Sequence, residues 1–144
     1  MALAVIDTIS DPQDWLPQGG AETLRSYGVD RPDELPRAHV DWLRALPLRH
    51  DDGRRFFVHA GIDPDKPLDA QAEQDMLWIR EPFLSDSRDQ ARLIVHGHTP
   101  TPRHRPERRG SRLGLDTGAV YGGPLTAAVF GDQHTEPISF LQVD

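Results

Sequence analysis

The sequence predicts a mixed α/β (α+β) fold, and three observations support this. Two short runs, "RRFFVHAG" at 54–61 and "RLIVHGH" at 92–98, have the β-branched and aromatic content of buried strands. Segments with helical spacing of apolar residues precede and separate these runs. After residue 111, short apolar runs alternate with glycine-rich turns, which indicates further strands. Strands and helices do not alternate regularly, so the order does not predict a Rossmann fold.

Helices are predicted in the first third of the chain. "MALAVID" resembles the middle of an amphipathic helix, since no capping residue precedes it. A Gly-Gly break comes before a short predicted helix over Ala21–Tyr27, and a loop then runs to Pro36. "PRAHVDWLRALP" predicts another helix that ends at Pro47. Its apolar face is predicted from three residues: Val40, Leu43 and Leu46.

The rest of the chain is predicted to contain strand, helix, strand and a β-rich tail. Residues 68–84 predict a helix capped by Asp69, and residues 111–144 predict three consecutive strands in a meander. The basic stretch 103–110, "RHRPERRG", predicts a solvated hairpin loop. Since no linker or repeat interrupts the chain, residues 1–144 predict a single domain.

Composition excludes several classes of function. The 144 residues carry a formal net charge of -7, which opposes binding to nucleic acid or to an anionic membrane. There is no cysteine, so disulfides and thiolate metal sites are excluded. No apolar run approaches the roughly 20 residues that cross a bilayer, and the start lacks a basic region. A soluble, cytoplasmic protein is predicted.

Two histidines are the main candidates for chemistry. His59 and His98 each follow a predicted strand and lie next to glycine-containing turns. If the two strands are neighbours, their imidazoles meet at one edge of the sheet and could share a metal ion. A histidine that only makes structural hydrogen bonds is the alternative for either one. His96 alternates with His98 and is a candidate contact for substrate. The other histidines are predicted to face solvent: His39, His50, His104 and His134.

Four segments in order carry a resemblance to a known family. They are "FFVHAGIDP", "DMLWIREPFL", "LIVHGHTPTP" and "LGLDTGAVYGGPLTAAVF". They resemble the C-terminal motifs of the metal-dependent phosphoprotein phosphatases of the calcineurin-like metallophosphoesterase superfamily, most closely its bacterial serine/threonine phosphatase branch. The resemblance implies the C-terminal half of a calcineurin-like β-sandwich flanked by helices.

The resemblance also implies a site and a reaction. A dinuclear centre, Mn first with Fe or Zn as alternatives, would activate water to attack a phosphate monoester, foremost phosphoserine or phosphothreonine in proteins. His59 and His98 would bind a metal ion, and Arg80 would bind the phosphate. Tyr121 would line the substrate groove, with His96 on the substrate side. The partner would be a phosphorylated protein or a small phosphoester.

Three upstream motifs of the family are absent from this sequence: "GDxHG", "GDxxDRG" and "GNHE". They supply the remaining metal ligands and the proton donor for the leaving group. The chain is therefore expected to be an N-terminally truncated metallophosphoesterase domain that is completed by a missing N-terminal half or by a second copy of itself.

Two other functions stay open from the sequence. A diadenosine tetraphosphate hydrolase of the same superfamily has similar C-terminal motifs, and nothing in the chain separates the two substrates. A non-catalytic interaction module that keeps the fold without the metal ions is the alternative from a different class.

Overall fold

The computed structural model describes residues 11–144, so the helix predicted in "MALAVID" lies outside the described residues. The chain divides into two compact units, Met1–Pro47 and Leu48–Asp144. Each unit is built from its own local elements. The prediction of a single domain over residues 1–144 stays a prediction. Within the described residues no helix is long and apolar enough to cross a bilayer.

The first unit contains short helices. Asp11 caps the first of them, because its carboxylate accepts a hydrogen bond of 2.8 Å from the Gln13 amide. Both helices predicted between residues 21 and 47 are confirmed. The α-helices are α1 (Pro12–Trp15), α2 (Gly20–Tyr27) and α3 (Arg37–Ala45), with 3-10 turns at Leu16–Gln18 and Pro32–Glu34.

Trp15 and Leu24 form the buried core of this unit. The half-buried residues packed on them are Leu16, Val29 and Leu35. The apolar face predicted for α3 is only partly correct: Val40 is buried, whereas Leu43 and Leu46 are exposed. Helical spacing fixes which residues share a side of the helix, but it does not fix how much of that side is covered.

The second unit contains a five-stranded sheet and a separate two-stranded sheet. In the larger sheet the strand order is β1-β2-β3-β5-β4, and β2, β3 and β5 are parallel. Antiparallel strands β1 and β4 form the two edges. The strands are β1 (Arg49–Asp51), β2 (Arg55–Val58), β3 (Leu93–His96), β4 (Glu107–Arg109), β5 (Arg112–Gly114), β6 (Leu125–Phe130) and β7 (Pro137–Val143).

The strands predicted in "RRFFVHAG" and "RLIVHGH" are confirmed as β2 and β3, and the three strands predicted after residue 111 are confirmed as β5, β6 and β7. The prediction that these three form one meander is wrong. β5 pairs with β3 in the large sheet, and β6 pairs only with β7 among the described residues. β5 is buried along its whole length. This burial favours pairing of β5 with β3 over pairing with β6, its neighbour in sequence. The basic stretch predicted as a hairpin loop contributes β4, which pairs with β5.

Each face of the five-stranded sheet has its own apolar cluster. On one face, Phe56, Val58 and Ile94 pack with Met76 and Phe83. Period-2 alternation sends the neighbouring side chains to the other face. The buried residues there are Leu93, Val95 and Leu113, with Phe57, Leu115 and Phe130 beside them.

The helix predicted over residues 68–84 is shorter than expected. It is α4 (Glu73–Trp78), and a 3-10 turn at Leu68–Ala70 precedes it. Asp69 lies inside that turn and does not cap the helix. The buried side chain of Gln71 explains the difference, because it accepts a hydrogen bond from the Asp63 amide and donates to the Asp63 and Lys66 carbonyls. These bonds hold the segment before α4 as a loop.

Candidate active site

His59 and His98 lie at the ends of two adjacent parallel strands, as the sequence predicts if β2 and β3 are neighbours. The Gly97 amide donates a hydrogen bond of 2.8 Å to the His59 carbonyl, which ties the two strand ends together. The two imidazole rings lie 5.0 Å apart, centroid to centroid. Because β2 and β3 pair in parallel, they bring into contact two histidines that lie 39 positions apart in the sequence.

The backbone at His98 has a left-handed conformation, with φ 65°. Non-glycine residues seldom adopt this conformation, and the cost is of the order of 1–2 kcal/mol. His98 follows directly after Gly97, so the chain turns sharply as it leaves β3. Such a turn is a feature of sites where the side chain matters more than local stability.

The surroundings of this pair favour the neutral form of both imidazoles. Partial burial lowers the pKa of His59 below its ordinary value of 6.5, against an opposing effect of Asp116. Partial burial also lowers the pKa of His98, and His59 and Arg80 lower it further. Asp116 and the Trp78 backbone act in the opposite direction on His98. Neutral imidazole is the form that binds metal ions.

Arg80 lies beside His98, as its effect on the pKa of that histidine shows. It follows α4, and its side chain is exposed. Within residues 11–144, its guanidinium forms no ion pair with a carboxylate. Trp78, two residues earlier, places its ring 5.9 Å from the His98 ring at an interplanar angle of 88°. The structure therefore brings together His59, His98 and Arg80, three of the five predicted site residues.

His96 and Tyr121 are placed differently. His96 is buried, with its ring 4.9 Å from that of Phe83, and its Nε2 has no hydrogen-bond partner among the described residues. Burial lowers the pKa of His96 to about 4. Tyr121 is exposed in the 3-10 turn Ala119–Tyr121. No contact between either residue and His98 is found in the part of the chain that the structure describes, so their contact with substrate stays a prediction.

Asp116 is a member of the site that sequence reasoning missed. It influences the pKa of His59, His96 and His98 alike, which places its carboxylate near all three rings. Its backbone carbonyl accepts hydrogen bonds from the Thr101 amide and hydroxyl, at 2.7 and 3.0 Å. The sequence signal for this residue is "LDTG", a carboxylate directly after an apolar strand.

The residues present fit part of a metal site. Two neutral imidazoles at one sheet edge are suitable nitrogen ligands, and Asp116 adds a nearby carboxylate. Among residues 11–144, however, no group of three or more histidine, aspartate or glutamate side chains has the geometry to hold a metal ion. With His59 and His98 as the protein ligands, water or further groups would have to complete the shell.

The chain is similar in fold and in sequence to proteins named as dinucleoside tetraphosphatases. A crystal structure of a candidate diadenosine tetraphosphatase shares the fold, with a TM-score of 0.68 and 21% sequence identity. The match covers 99% of this chain and 63% of that one. The mixed α/β fold predicted from the sequence is thereby confirmed.

Two curated proteins named bis(5'-nucleosyl)-tetraphosphatase PrpE [asymmetrical] are similar in sequence. The protein from Anoxybacillus flavithermus is 30% identical over 100 residues, covering 59% of this chain and 40% of its own length. The protein from Geobacillus thermodenitrificans is 29% identical over 133 residues, covering 78% of this chain and 53% of its own length. No family model matches the chain. The chain spans about half the length of the curated relatives it matches. These relatives do not support the serine/threonine phosphatase branch.

Proposed function

We propose that this chain takes part in the metal-dependent hydrolysis of a dinucleoside tetraphosphate. The observation that carries the proposal is the pair of neutral imidazoles, His59 and His98, 5.0 Å apart and next to a guanidinium without a carboxylate partner among the described residues. The names of the relatives support a dinucleoside tetraphosphate over a phosphorylated protein as the substrate.

In this proposal each residue has a distinct task. His59 and His98 bind a divalent metal ion, with Mn as the first candidate, through neutral ring nitrogens. Arg80 binds a phosphate oxygen, a role suited to its planar array of donors. When bound, the metal centre supplies positive charge and a water of lowered pKa. Further ligands have to come from outside the group described here, because two imidazoles alone do not complete a shell.

The first test measures metal binding without any turnover. Titration of the purified chain with Co²⁺, followed by visible absorption, should show a site that His98→Ala and His59→Ala weaken by tenfold or more. His134→Ala is the matched control, because His134 is an exposed histidine in the turn between β6 and β7. Equal Co²⁺ binding by all four proteins would contradict the assignment of these ligands.

The second test compares substrates under Mn²⁺. Diadenosine tetraphosphate, a phosphoserine peptide and an aryl phosphate are offered to the wild type, to Arg80→Ala and to the exposed control Arg37→Ala. Preferential cleavage of the dinucleotide, lost in Arg80→Ala alone, supports the proposal. Preference for the peptide would favour a protein phosphatase. Cleavage of none of the three, together with no binding of Co²⁺ in the first test, would favour an interaction module.

A further inference from the structure

We infer that His104 is a positioning residue that holds the loop 116–123, which begins at Asp116 beside the two candidate metal ligands and carries Tyr121. Only the catalytic consequence of this role rests on the proposed function. Sequence reasoning placed His104 among the solvent-facing histidines, because the stretch around it is basic and polar. The structure confirms that His104 is exposed, and it also places one nitrogen of the exposed ring against the backbone of the loop.

The main contact is a hydrogen bond between His104 and the backbone. His104 Nδ1 lies 2.9 Å from the Thr117 carbonyl oxygen. A carbonyl oxygen only accepts, so Nδ1 carries the proton in this contact. Both the Nδ1–H tautomer and the imidazolium form have that proton. The tether therefore does not depend on the protonation of Nε2.

The loop is shaped to receive the His104 ring. A Cβ atom at Gly118 would lie 2.9 Å from His104 Nδ1, and one at Gly123 would lie 2.5 Å from the same atom. A Cβ at Gly122, in the same loop, would have no neighbour within 4 Å. The ring therefore takes the space that side chains at Gly118 and Gly123 would fill, and it contacts both ends of the turn that presents Tyr121.

The backbone at His104 and the residue before it is in a conformation that needs stabilising contacts. Arg103 and His104 are consecutive non-glycine residues in the left-handed region, with φ 61° and 54°. Such residues occur where surrounding contacts hold them in place. The hydrogen bond to Thr117 is a contact of that kind, 13 positions along the chain.

Thr117 is held from its other side as well. Its buried hydroxyl donates to the Pro124 carbonyl and shares a hydrogen bond of 2.7 Å with the Thr126 hydroxyl. Inside the loop, the Tyr121 and Gly123 amides both donate to the Gly118 carbonyl, at 2.8 and 2.9 Å. Loss of the His104 contact should therefore loosen these two amides first, while β6 keeps the Thr117 hydroxyl in place.

Amide hydrogen exchange of the full chain, resolved by NMR, tests the role directly. His104→Ala should speed exchange at Tyr121 and Gly123 about three- to tenfold, the effect of losing one hydrogen bond. The Ile94 amide, which donates to the Ser111 carbonyl inside the large sheet, should not change. Equal exchange in the loop of wild type and variant would overturn the inference, and so would an equal rise at Ile94.

Two matched variants separate the tether from ring packing. In His104→Asn, the amide nitrogen is as many bonds from Cα as Nδ1, and asparagine tolerates the left-handed backbone. In His104→Gln the amide nitrogen is one bond further out. Asparagine should restore the slow exchange and glutamine should not. Restoration by neither, or by both, would contradict a tether through Nδ1.

Kinetics then test the catalytic consequence. With diadenosine tetraphosphate and Mn²⁺, His104→Ala should raise KM severalfold and leave kcat within twofold, and His104→Asn should recover KM. An unchanged KM together with faster loop exchange would overturn the link from the loop to substrate. An inactive wild type would contradict the proposed function, and the exchange data alone would then decide whether His104 holds the loop.

Discussion

The charge of Asp52 should stabilise the fold through its contact with a buried arginine. Asp52 Oδ1 accepts hydrogen bonds from the Arg54 and Arg55 amides, at 2.9 and 2.8 Å, and Oδ2 accepts from Arg55 Nε at 2.6 Å. Arg55 is buried, stacks over the Phe130 ring at 4.7 Å and donates to the Gly131 carbonyl. Asp52→Asn keeps one oxygen that accepts from the two backbone amides. The side-chain group that faces Arg55 then carries no negative charge.

The size of this effect follows from the pKa of Asp52. Burial would raise that pKa, but the hydrogen bonds and the charge of Arg55 outweigh burial and lower it from 3.8 to about 2. At 1.36 kcal/mol per pKa unit the shift alone would correspond to about 2 kcal/mol, but Asp52 is exposed, and solvent screening reduces the expected contribution to the folding free energy to about 1 kcal/mol. Because the folded-state pKa lies below the unfolded one, the stabilisation is complete above about pH 4. It is lost as the pH falls through about 2.

Urea unfolding at pH 7 and at pH 2.5 measures this contribution. Asp52→Asn should lower the free energy of unfolding by about 1 kcal/mol at pH 7 and by less than half of that at pH 2.5. Asp51→Asn is the matched control, because Asp51 pairs with Arg92 at 3.2 Å with both side chains partly exposed, and it should cost clearly less than Asp52→Asn at pH 7. Equal losses for the two variants, or a loss at Asp52 that does not change with pH, would refute the reasoning.

Four further substitutions have expected outcomes in urea unfolding. Thr117→Val removes a hydroxyl that has two hydrogen-bond partners and should lower the free energy of unfolding by about 1–2 kcal/mol. Thr99→Val removes a buried hydroxyl without a partner among the described residues and should leave that free energy unchanged or raise it. Equal losses for the two variants would contradict this. Gln71→Ala should cost about 1–3 kcal/mol and speed amide exchange at Asp63; unchanged exchange there would count against its role. Gly20→Ala places a methyl group 2.6 Å from the Trp15 ring and should cost about 1–3 kcal/mol; a neutral result would argue against that packing.

Local sequence patterns predicted the two histidines of the candidate site. His59 and His98 were found because each follows a short apolar run, and the parallel pairing of β2 with β3 then places them together. Arg80 came only from a resemblance to known motifs, since an arginine at the end of a helix has no distinctive pattern of its own. The structure places it beside His98 through the turn that follows α4.

What the sequence could not predict depends on long-range polar contacts. The sequence predicts a helix that begins at Asp69, whereas the structure has a loop there. That loop is held by hydrogen bonds between Gln71 and residues up to eight positions away. The role of His104 rests on one carbonyl 13 positions along the chain. Such contacts have no period in the sequence, whereas burial on a strand or helix does. The pairing of β5 with β3 was missed for a related reason, because turn signals report neighbours in sequence and not partners in a sheet.

The charge distribution constrains how a polyphosphate could bind here. The chain has a formal net charge of -7, which repels a polyanion at long range. Partial burial lowers the pKa of His59 and of His98, which favours their uncharged forms. Arg80 is the cation that the structure places beside them, and metal ions would supply the rest. Under the proposed function, loss of either source should therefore weaken binding of the dinucleoside tetraphosphate strongly. Added salt should weaken the contribution of exposed Arg80 more than that of a bound metal ion, because exposed charges are screened most.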